Sequence, residues 1–430
     1  MTYHFHTTLT RRKRIIIIIS FSLLCLFIVA KSLTLSRTYG GTDLRARVVG
    51  ARAMQIGKSP YFYKWKPSDG DRLLDPNANP QRQANGNVAT PAVLLLMQPL
   101  ISLPYSYIRT IWTALELLAI ASIFFFITHS TQNYTLRILW VLPVMLILIA
   151  SPYFALHIDR GQMYLFYQAT IAISYYLYTK NASRKILSGC LVGLLVFFRP
   201  FALFFPLPFL LKREWKWLTG FATGLFGGLA IFVLPAYDTW LEYFHAMLFY
   251  SLETTSAHDL HTYSPHHNPT VIEGCENLSK WGQYTITCLR NMNAIAPKIN
   301  LELTESLAFL ISFIVFALLT ILFHISSPRN TEQLFVLGVV LMILCEYFSK
   351  APRTPYNVLQ WTIPLVFITR YFTKYKQYAG LIMGLLLFAI FHSILQFFYG
   401  KGYLGEAIVL ITSIWYTLKP AKENPAPLSN

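Results

Sequence analysis

Residues 11–33 read RRKRIIIIISFSLLCLFIVAKSL, a basic cluster followed by a nearly unbroken apolar run. The run is long enough to cross a lipid bilayer as a single helix. Its basic flank predicts that the N-terminal segment, residues 1–14, lies in the cytoplasm. No small-residue cleavage site follows the run, so the sequence predicts a retained helix rather than a signal peptide.

Apolar stretches of membrane-spanning length recur along the rest of the chain. Of its 430 residues, 54% are hydrophobic and only 13% are charged, whereas a soluble domain carries roughly 25% charged residues. The sequence therefore predicts an all-α polytopic membrane protein with about 12 crossings and both termini inside. Residues 1–430 are interpreted as one integral membrane domain, with a cytoplasmic tail at 419–430.

Two long polar segments, residues 36–90 and 237–302, are predicted to be extracytoplasmic loops. The formal net charge is +17, and most of the excess lies in short loops where the positive-inside bias explains it. No nucleic-acid partner is therefore needed. The first outer loop is basic against that bias, which suggests an anionic ligand. The short apolar stretches 186–198 and 201–211 meet at Arg199-Pro200, a pattern typical of broken helices that line a cavity.

Asp43 is the candidate catalytic residue because it is an acid at the head of the first outer loop, in Gly40-Gly41-Thr42-Asp43. A charged residue near the membrane is costly to keep and is often functional. The polar residues predicted on the same side are Arg45, Arg47, Arg52, His157, Asp159, Arg160, Gln162, Arg199, Lys350, Arg353 and Tyr356. One acid among cations suits a reaction that removes a proton and expels a phosphate. The alternative is that Asp43 is a turn or helix-cap residue.

Other polar features are less specific. Cys275 and Cys288 share the second outer loop and are candidates for a disulfide. The same loop has a histidine cluster, formed by His258, His261, His266 and His267. It lacks zinc-site spacing, so a flexible loop is predicted instead and no metal ligand is assigned. Tyr61 could stack on a sugar or belong to an interfacial aromatic belt. No phosphate-cradling glycine motif is present in the sequence.

Several short motifs resemble bacterial polyprenyl-phosphate-mannose-dependent α-1,2-mannosyltransferases, which form glycosyltransferase family 87. In the first outer loop they are Asp43-Leu44, Ala51-Arg52-Ala53 and Gly57-Lys58-Ser59-Pro60-Tyr61. Further along they are Ala89-Thr90-Pro91, Pro99, Pro104, Trp112, Gly161-Gln162, Gly193-Leu194 and Phe198-Arg199-Pro200. The resemblance covers residues 40–215, and the late outer segment 349–356 departs from the His-rich motif of many members.

The resemblance implies a C-type glycosyltransferase bundle in the bacterial inner membrane, with its active site on the extracytoplasmic side. It implies an inverting transfer of mannose, or another hexose or a pentose, from a polyprenyl-phosphate donor to a glycolipid or cell-envelope glycan. Asp43 would be the general base. Arg199, with Arg160 and Arg353, would bind the donor phosphate. Substrate contacts are assigned to Arg45, Arg52, Tyr61, Asp159, Gln162 and Tyr356.

Two other functions remain open from the sequence. A transporter or lipid flippase would need broken helices in matching halves, and only one broken pair is found. A lipid-linked polysaccharide polymerase or ligase would also use outer arginines, but it would not need an acid after its first helix. No cofactor is expected for the transferase, although a divalent cation remains open.

Overall fold

The computed structural model describes residues 11–38, 40–63, 65–77, 87–129, 134–150, 152–253, 330–347, 355–374 and 402–418. All regular elements in these ranges are helical, as the composition predicts. The α-helices are α1 (Arg11–Thr38), α2 (Thr42–Gln55), α3 (Pro91–Met97), α4 (Tyr105–Thr128), α5 (Tyr134–Ala150), α6 (Pro152–Arg160), α7 (Tyr164–Tyr178), α8 (Ala182–Leu195), α9 (Leu207–Leu211), α10 (Trp215–Gly228), α11 (Tyr237–Glu253), α12 (Thr331–Tyr347), α13 (Thr362–Lys374) and α14 (Gly402–Leu418). Short 3-10 helices lie at Pro67–Leu73, Gln98–Leu100, Pro200–Phe204, Leu234–Ala236 and Pro355–Trp361, and a π-helical turn at Leu229–Val233.

Three helical segments in the described part of the chain are long and apolar enough to cross a membrane. They are Arg14–Arg37, Tyr105–Thr128 and Trp215–Met247. Many of their large apolar side chains face outward, as expected for a lipid-facing surface, and Phe226 is 68% exposed. The structure thus supports an all-helical membrane protein, while the total of about 12 crossings stays a prediction.

Both long polar segments contain more helix than the sequence suggested. The first holds α2 and the 3-10 helix Pro67–Leu73, so its start is an ordered helix rather than an open loop. The second begins with α11, where Trp240 and Tyr243 are buried at helical spacing. The indole of Trp240 donates to the carbonyl oxygen of Phe232, which fastens α11 to the turn before it. Local aromatic packing therefore extends the helix beyond the apolar run.

Helices α8 and α10 approach each other closely because glycines line their contact. The facing residues are Gly189 and Gly193 on α8 and Gly220 and Gly224 on α10. A Cβ atom added at any of them would collide with the backbone of the other helix. Small residues of this kind let helices pack at backbone distance, which compensates for the lack of a hydrophobic driving force within lipid.

Helix α7 lies at the centre of the described bundle, packed against α4 and α8. Its two termini are held by different partners. Near its first turn, the N–H of Gly41 donates to the carbonyl oxygen of Asp159, which joins α2 to the turn between α6 and α7. After its last turn, the hydroxyl of Thr179 bonds to His129. We call the end of the bundle that carries Asp43 and the start of α7 the Asp43 end.

Candidate active site

A glycine turn places Asp43 in the first turn of α2. Gly40 and Gly41 have φ angles of 62° and 75°, in the left-handed region that glycine adopts without strain. A Cβ atom on Gly41 would lie 2.8 Å from the hydroxyl oxygen of Tyr105. Gly41 is the residue that caps the helix, and Asp43 is the second residue inside it. The alternative in which Asp43 is itself the N-cap therefore does not describe this helix.

The carboxylate of Asp43 faces the turn between α6 and α7. The side-chain amide of Gln162 donates a hydrogen bond to its Oδ2 atom. A guanidinium nitrogen of Arg160 lies 4.0 Å from its Oδ1 atom, and the Asp43 side chain is 24% exposed. The positive end of the α2 helix dipole also favours a negative charge at this position. The structure thus brings together three residues that the sequence selected.

Arg47 fixes the orientation of Gln162 from the next turn of α2. Its guanidinium donates to the carbonyl oxygen of Gly161 at 2.5 Å and to Oε1 of Gln162 at 2.9 Å. Because the amide oxygen accepts from Arg47, the amide nitrogen is directed to Asp43. Arg47 is buried, with 7% of its surface exposed. Arg47 therefore orients the amide of Gln162, and this amide in turn holds the carboxylate of Asp43. We call this arrangement the amide relay.

Replacing Gln162 with alanine should displace the carboxylate of Asp43. If Asp43 is the reacting group, as the sequence predicts, turnover should fall by about 10–100-fold. The substitution also leaves the buried guanidinium of Arg47 short of one acceptor, which should cost about 1–3 kcal/mol of unfolding free energy. Initial rates and thermal unfolding of the purified variant measure both effects. Gln168→Leu on α7 is the matched control, since within the described part of the chain both polar atoms of that amide are buried without a hydrogen-bond partner. Equal losses in the two variants would contradict the relay.

Arg109 was missed by the sequence interpretation, although it holds the same turn from behind. It projects from α4 and donates to the carbonyl oxygens of Ser36 at 3.1 Å and Ile158 at 2.5 Å. Gly161 has a φ angle of 69°, and a Cβ atom there would lie 2.9 Å from a guanidinium nitrogen of Arg109. The signal was available in the sequence. Arg109 and Glu116 lie seven residues apart in an apolar span, on one helix face, where charges are costly.

Glu116 and His157 form a fully buried pair beneath the turn. His157 Nδ1 lies 3.4 Å from Glu116 Oε1, and neither side chain is exposed. Burial, and next the positive charges of Arg47 and Arg109, lower the pKa of His157 well below its usual range. The carbonyl oxygen of His157 accepts a bond from the N–H of Gln162. The backbone of His157 therefore contacts the turn that positions Gln162.

Arg199 lies at the Asp43 end but contacts another partner. It forms an ion pair with Glu346 of α12, and its side chain is 15% exposed. Its guanidinium carbon lies 4.9 Å from the ring centroid of Tyr164, the first residue of α7. Tyr164 follows Gln162 by two residues, so Arg199 and Asp43 flank the same helix start. A contact between Arg199 and a donor phosphate stays a prediction.

Other predicted substrate residues are bound to the protein itself. The guanidinium of Arg45 lies 3.3 Å from the carboxylate of Asp75, and both groups are buried. Arg52 donates to the carbonyl oxygens of Ile101 and Arg72. The ring of Tyr61 has no exposed surface, and its hydroxyl donates to the carbonyl oxygen of Ala89 at 2.7 Å. In this structure these three side chains hold the first long polar segment against the bundle.

Of the remaining predicted residues, only some lie within the described part of the chain. Asp159 is 8% exposed, and its carbonyl oxygen accepts from Gly41. Tyr356 belongs to the 3-10 helix Pro355–Trp361, but its side chain lies outside the described part of the protein. The other predictions outside the described residues concern Arg353, Cys275, Cys288, His258, His261, His266 and His267. Within the described ranges, no group of three or more histidine, cysteine or carboxylate side chains could hold a metal ion.

Comparison with known families decides the class of the protein. Residues 89–346, more than half of the chain, match glycosyltransferase family 87. The chain belongs to this family. It is therefore a glycosyltransferase, and its apolar helices make it a membrane one. No curated protein and no solved structure matches the chain.

The region that matches family 87 contains only part of the candidate site. Arg160, Gln162, Arg199 and Glu346 lie within the matched region, whereas Asp43 and Arg47 precede it. The contact between Asp43 and Gln162 therefore joins a segment outside the match to one inside it. The role of Asp43 depends on this geometry and on the resemblance of its loop, rather than on the match itself.

Proposed function

We propose that this family 87 glycosyltransferase moves a sugar from a polyprenyl-phosphate donor to an acceptor hydroxyl, with inversion at the anomeric carbon. The observation that carries the proposal is the carboxylate of Asp43, held by Gln162 and flanked by Arg160. The sugar is mannose, another hexose or a pentose. The acceptor is a glycolipid or cell-envelope glycan on the outer side of a bacterial inner membrane.

Asp43 acts as the general base of the reaction. The acceptor hydroxyl transfers its proton to the carboxylate while its oxygen bonds to the anomeric carbon. The bond from that carbon to the phosphate oxygen breaks, and the electron pair leaves with the polyprenyl phosphate. A carboxylate with 24% of its side chain exposed can meet a hydroxyl and still be held in one orientation by its neighbours.

Cations at the Asp43 end stabilise the leaving phosphate. Arg160 is close to Asp43, and its side chain is 44% exposed. Arg199 lies beside Tyr164 at the start of α7. Arg353 is the third predicted phosphate ligand. A guanidinium matches phosphate geometry and gains strength where water is excluded. Contacts of Asp159, Gln162 and Tyr356 with the substrates belong to the same proposal, whereas Arg45, Arg52 and Tyr61 are bound to the protein itself. No metal or cofactor is assigned.

The alternatives are less consistent with the site. Family membership favours a transferase over a transporter or flippase. A polymerase or ligase working on lipid-linked sugars would share the cations, but it would have no use for the amide relay that orients Asp43.

Labelled donors test the proposal directly. The purified protein, reconstituted in nanodiscs, is incubated with a glycolipid acceptor fraction and either polyprenyl-phosphate sugars or nucleotide sugars. We expect product only from the lipid-linked donor, equimolar release of polyprenyl phosphate, and an inverted anomeric configuration in the product. Efficient transfer from a nucleotide sugar, or retention of configuration, would contradict the proposal.

A further inference from the structure

Glu346 is a buried carboxylate near the end of α12 that gathers three polar side chains. It forms an ion pair with Arg199 and accepts hydrogen bonds from the side-chain amides of Asn357 and Gln360, the latter at 2.9 Å. Only 2% of the residue is exposed. A charge this deeply buried is stable only when it is paired and hydrogen-bonded, and Glu346 meets both conditions.

The two amides make Glu346 a fixed anchor rather than a mobile counter-ion. Asn357 and Gln360 have no exposed surface and belong to the 3-10 helix Pro355–Trp361. That short helix packs against α6 and α7, the two helices joined by the turn that contacts Asp43. The carboxylate therefore cannot follow Arg199 towards a ligand without breaking bonds to a packed segment.

Arg199 is restrained on two sides as a result. One nitrogen of its guanidinium faces Glu346, and the ring centroid of Tyr164 lies 4.9 Å from its central carbon. The side chain nevertheless keeps 15% of its surface exposed. A guanidinium held at one edge and one face keeps a single orientation relative to an approaching anion.

We infer that Glu346 is a positioning residue that orients Arg199 towards the leaving phosphate. Through the same carboxylate it also holds the segment Pro355–Trp361 in a fixed position relative to Arg199. This inference rests on the proposed function, because it takes the polyprenyl phosphate as the group that Arg199 meets. Glu346 itself contacts no substrate. Its effect on the reaction is transmitted through the guanidinium.

The first test is Glu346→Gln, which keeps the shape of the side chain and removes its charge. We expect kcat to fall by about 10–100-fold, because small displacements of a catalytic group cost that much. The KM for the lipid-linked donor should stay within about 3-fold, because the positive charge that attracts the phosphate remains. A purely structural role would lower the amount of folded enzyme without changing the kcat of the folded fraction.

Glu332→Gln is the matched control. Glu332 is on the same helix as Glu346 and forms a similar ion pair with Arg370 at 2.6 Å. It lies in the first turn of α12, while Glu346 lies in the last. This variant should lose thermal stability and keep a kcat close to that of the wild type.

A double-mutant cycle with Arg199→Gln decides whether Glu346 acts through Arg199. The variant with both substitutions should be no slower than Arg199→Gln alone, because the residue that Glu346 positions is already absent. Rate losses that multiply, or an unchanged kcat in Glu346→Gln, would overturn the inference.

Gln360→Leu provides a second route if Glu346→Gln does not fold. It keeps both charges of the pair and removes one bond that anchors the carboxylate. The inference requires kcat to fall by about 3–10-fold in this variant, with an unchanged donor KM. An unchanged kcat would count against it.

A wild-type protein that does not use the lipid-linked sugar would refute the proposed function before any variant is compared. An active wild type with multiplying losses would refute the role of Glu346 alone.

Discussion

Asp43→Asn should abolish sugar transfer while the protein stays folded. General-base catalysis supplies about 10²–10⁴-fold in rate, and an amide cannot accept the proton of the acceptor hydroxyl. The side-chain oxygen of asparagine can still accept the hydrogen bond from Gln162, so the turn between α6 and α7 keeps its contact with α2. Single-turnover transfer from a labelled polyprenyl-phosphate sugar measures the loss, and thermal unfolding checks the fold.

Asp71→Asn is the matched control for this experiment. Asp71 lies in the same long polar segment, its side chain is exposed, and it is far along the chain from the Asp43 turn. The same chemical change there should leave the transfer rate within about 2-fold of the wild type, since surface substitutions rarely matter. If Asp43→Asn retained near-normal turnover, the base would have to be another group and the proposed mechanism would fail.

The second large effect is expected at the contact between α8 and α10. Gly224→Ala should lower the free energy of unfolding by about 1–3 kcal/mol, because overpacking a close helix contact has that cost. The added Cβ would collide with the carbonyl group of Cys190, which belongs to backbone and cannot rotate away. This penalty should exceed the gain of about 1 kcal/mol that alanine brings to a helix interior. Reversible unfolding in detergent, followed by circular dichroism, measures the difference.

Gly227 offers a control on the same helix. No described neighbour lies within 4 Å of a Cβ atom built there, so Gly227→Ala should be neutral or slightly stabilising. A loss at Gly227 equal to that at Gly224 would mean that the contact with α8 is not the cause. Gly224→Leu should be worse than Gly224→Ala, because a longer side chain would force the helices further apart.

Much of the fold follows from hydropathy. The apolar run after the basic N-terminal cluster lies within α1, and the apolar stretch Tyr105–Thr128 forms a helix of membrane-spanning length. The extension of helix into Tyr237–Glu253 was not predictable from hydropathy, because it depends on the packing of aromatic rings. Tertiary contacts decide such boundaries, and a window of average hydrophobicity does not contain them.

The candidate site was predictable by residue type and less so by partner. Asp43, Arg160 and Gln162 were selected from the sequence, and the structure places them together. Hydropathy could not have shown that Arg45 is paired with Asp75. Glu346 was overlooked because a single acid near the end of an apolar helix has no local motif. Its contacts with Arg199 and Gln360 are apparent only in the folded structure.

The contacts around Gln162 have a consequence for biosynthesis. Arg47 meets Gly161 and Gln162 across 114 and 115 residues of sequence, and Asp43 meets Gln162 across 119. At a synthesis rate of about 5–20 residues per second, the start of α2 waits roughly 6–24 s for its partner to leave the ribosome. Contacts between distant segments also form late during folding, since closing a long loop costs entropy. Arg47 and Asp43 of the nascent first polar segment therefore stay hydrated until the α6–α7 turn arrives, and only then do they gain their hydrogen bonds to Gly161 and Gln162.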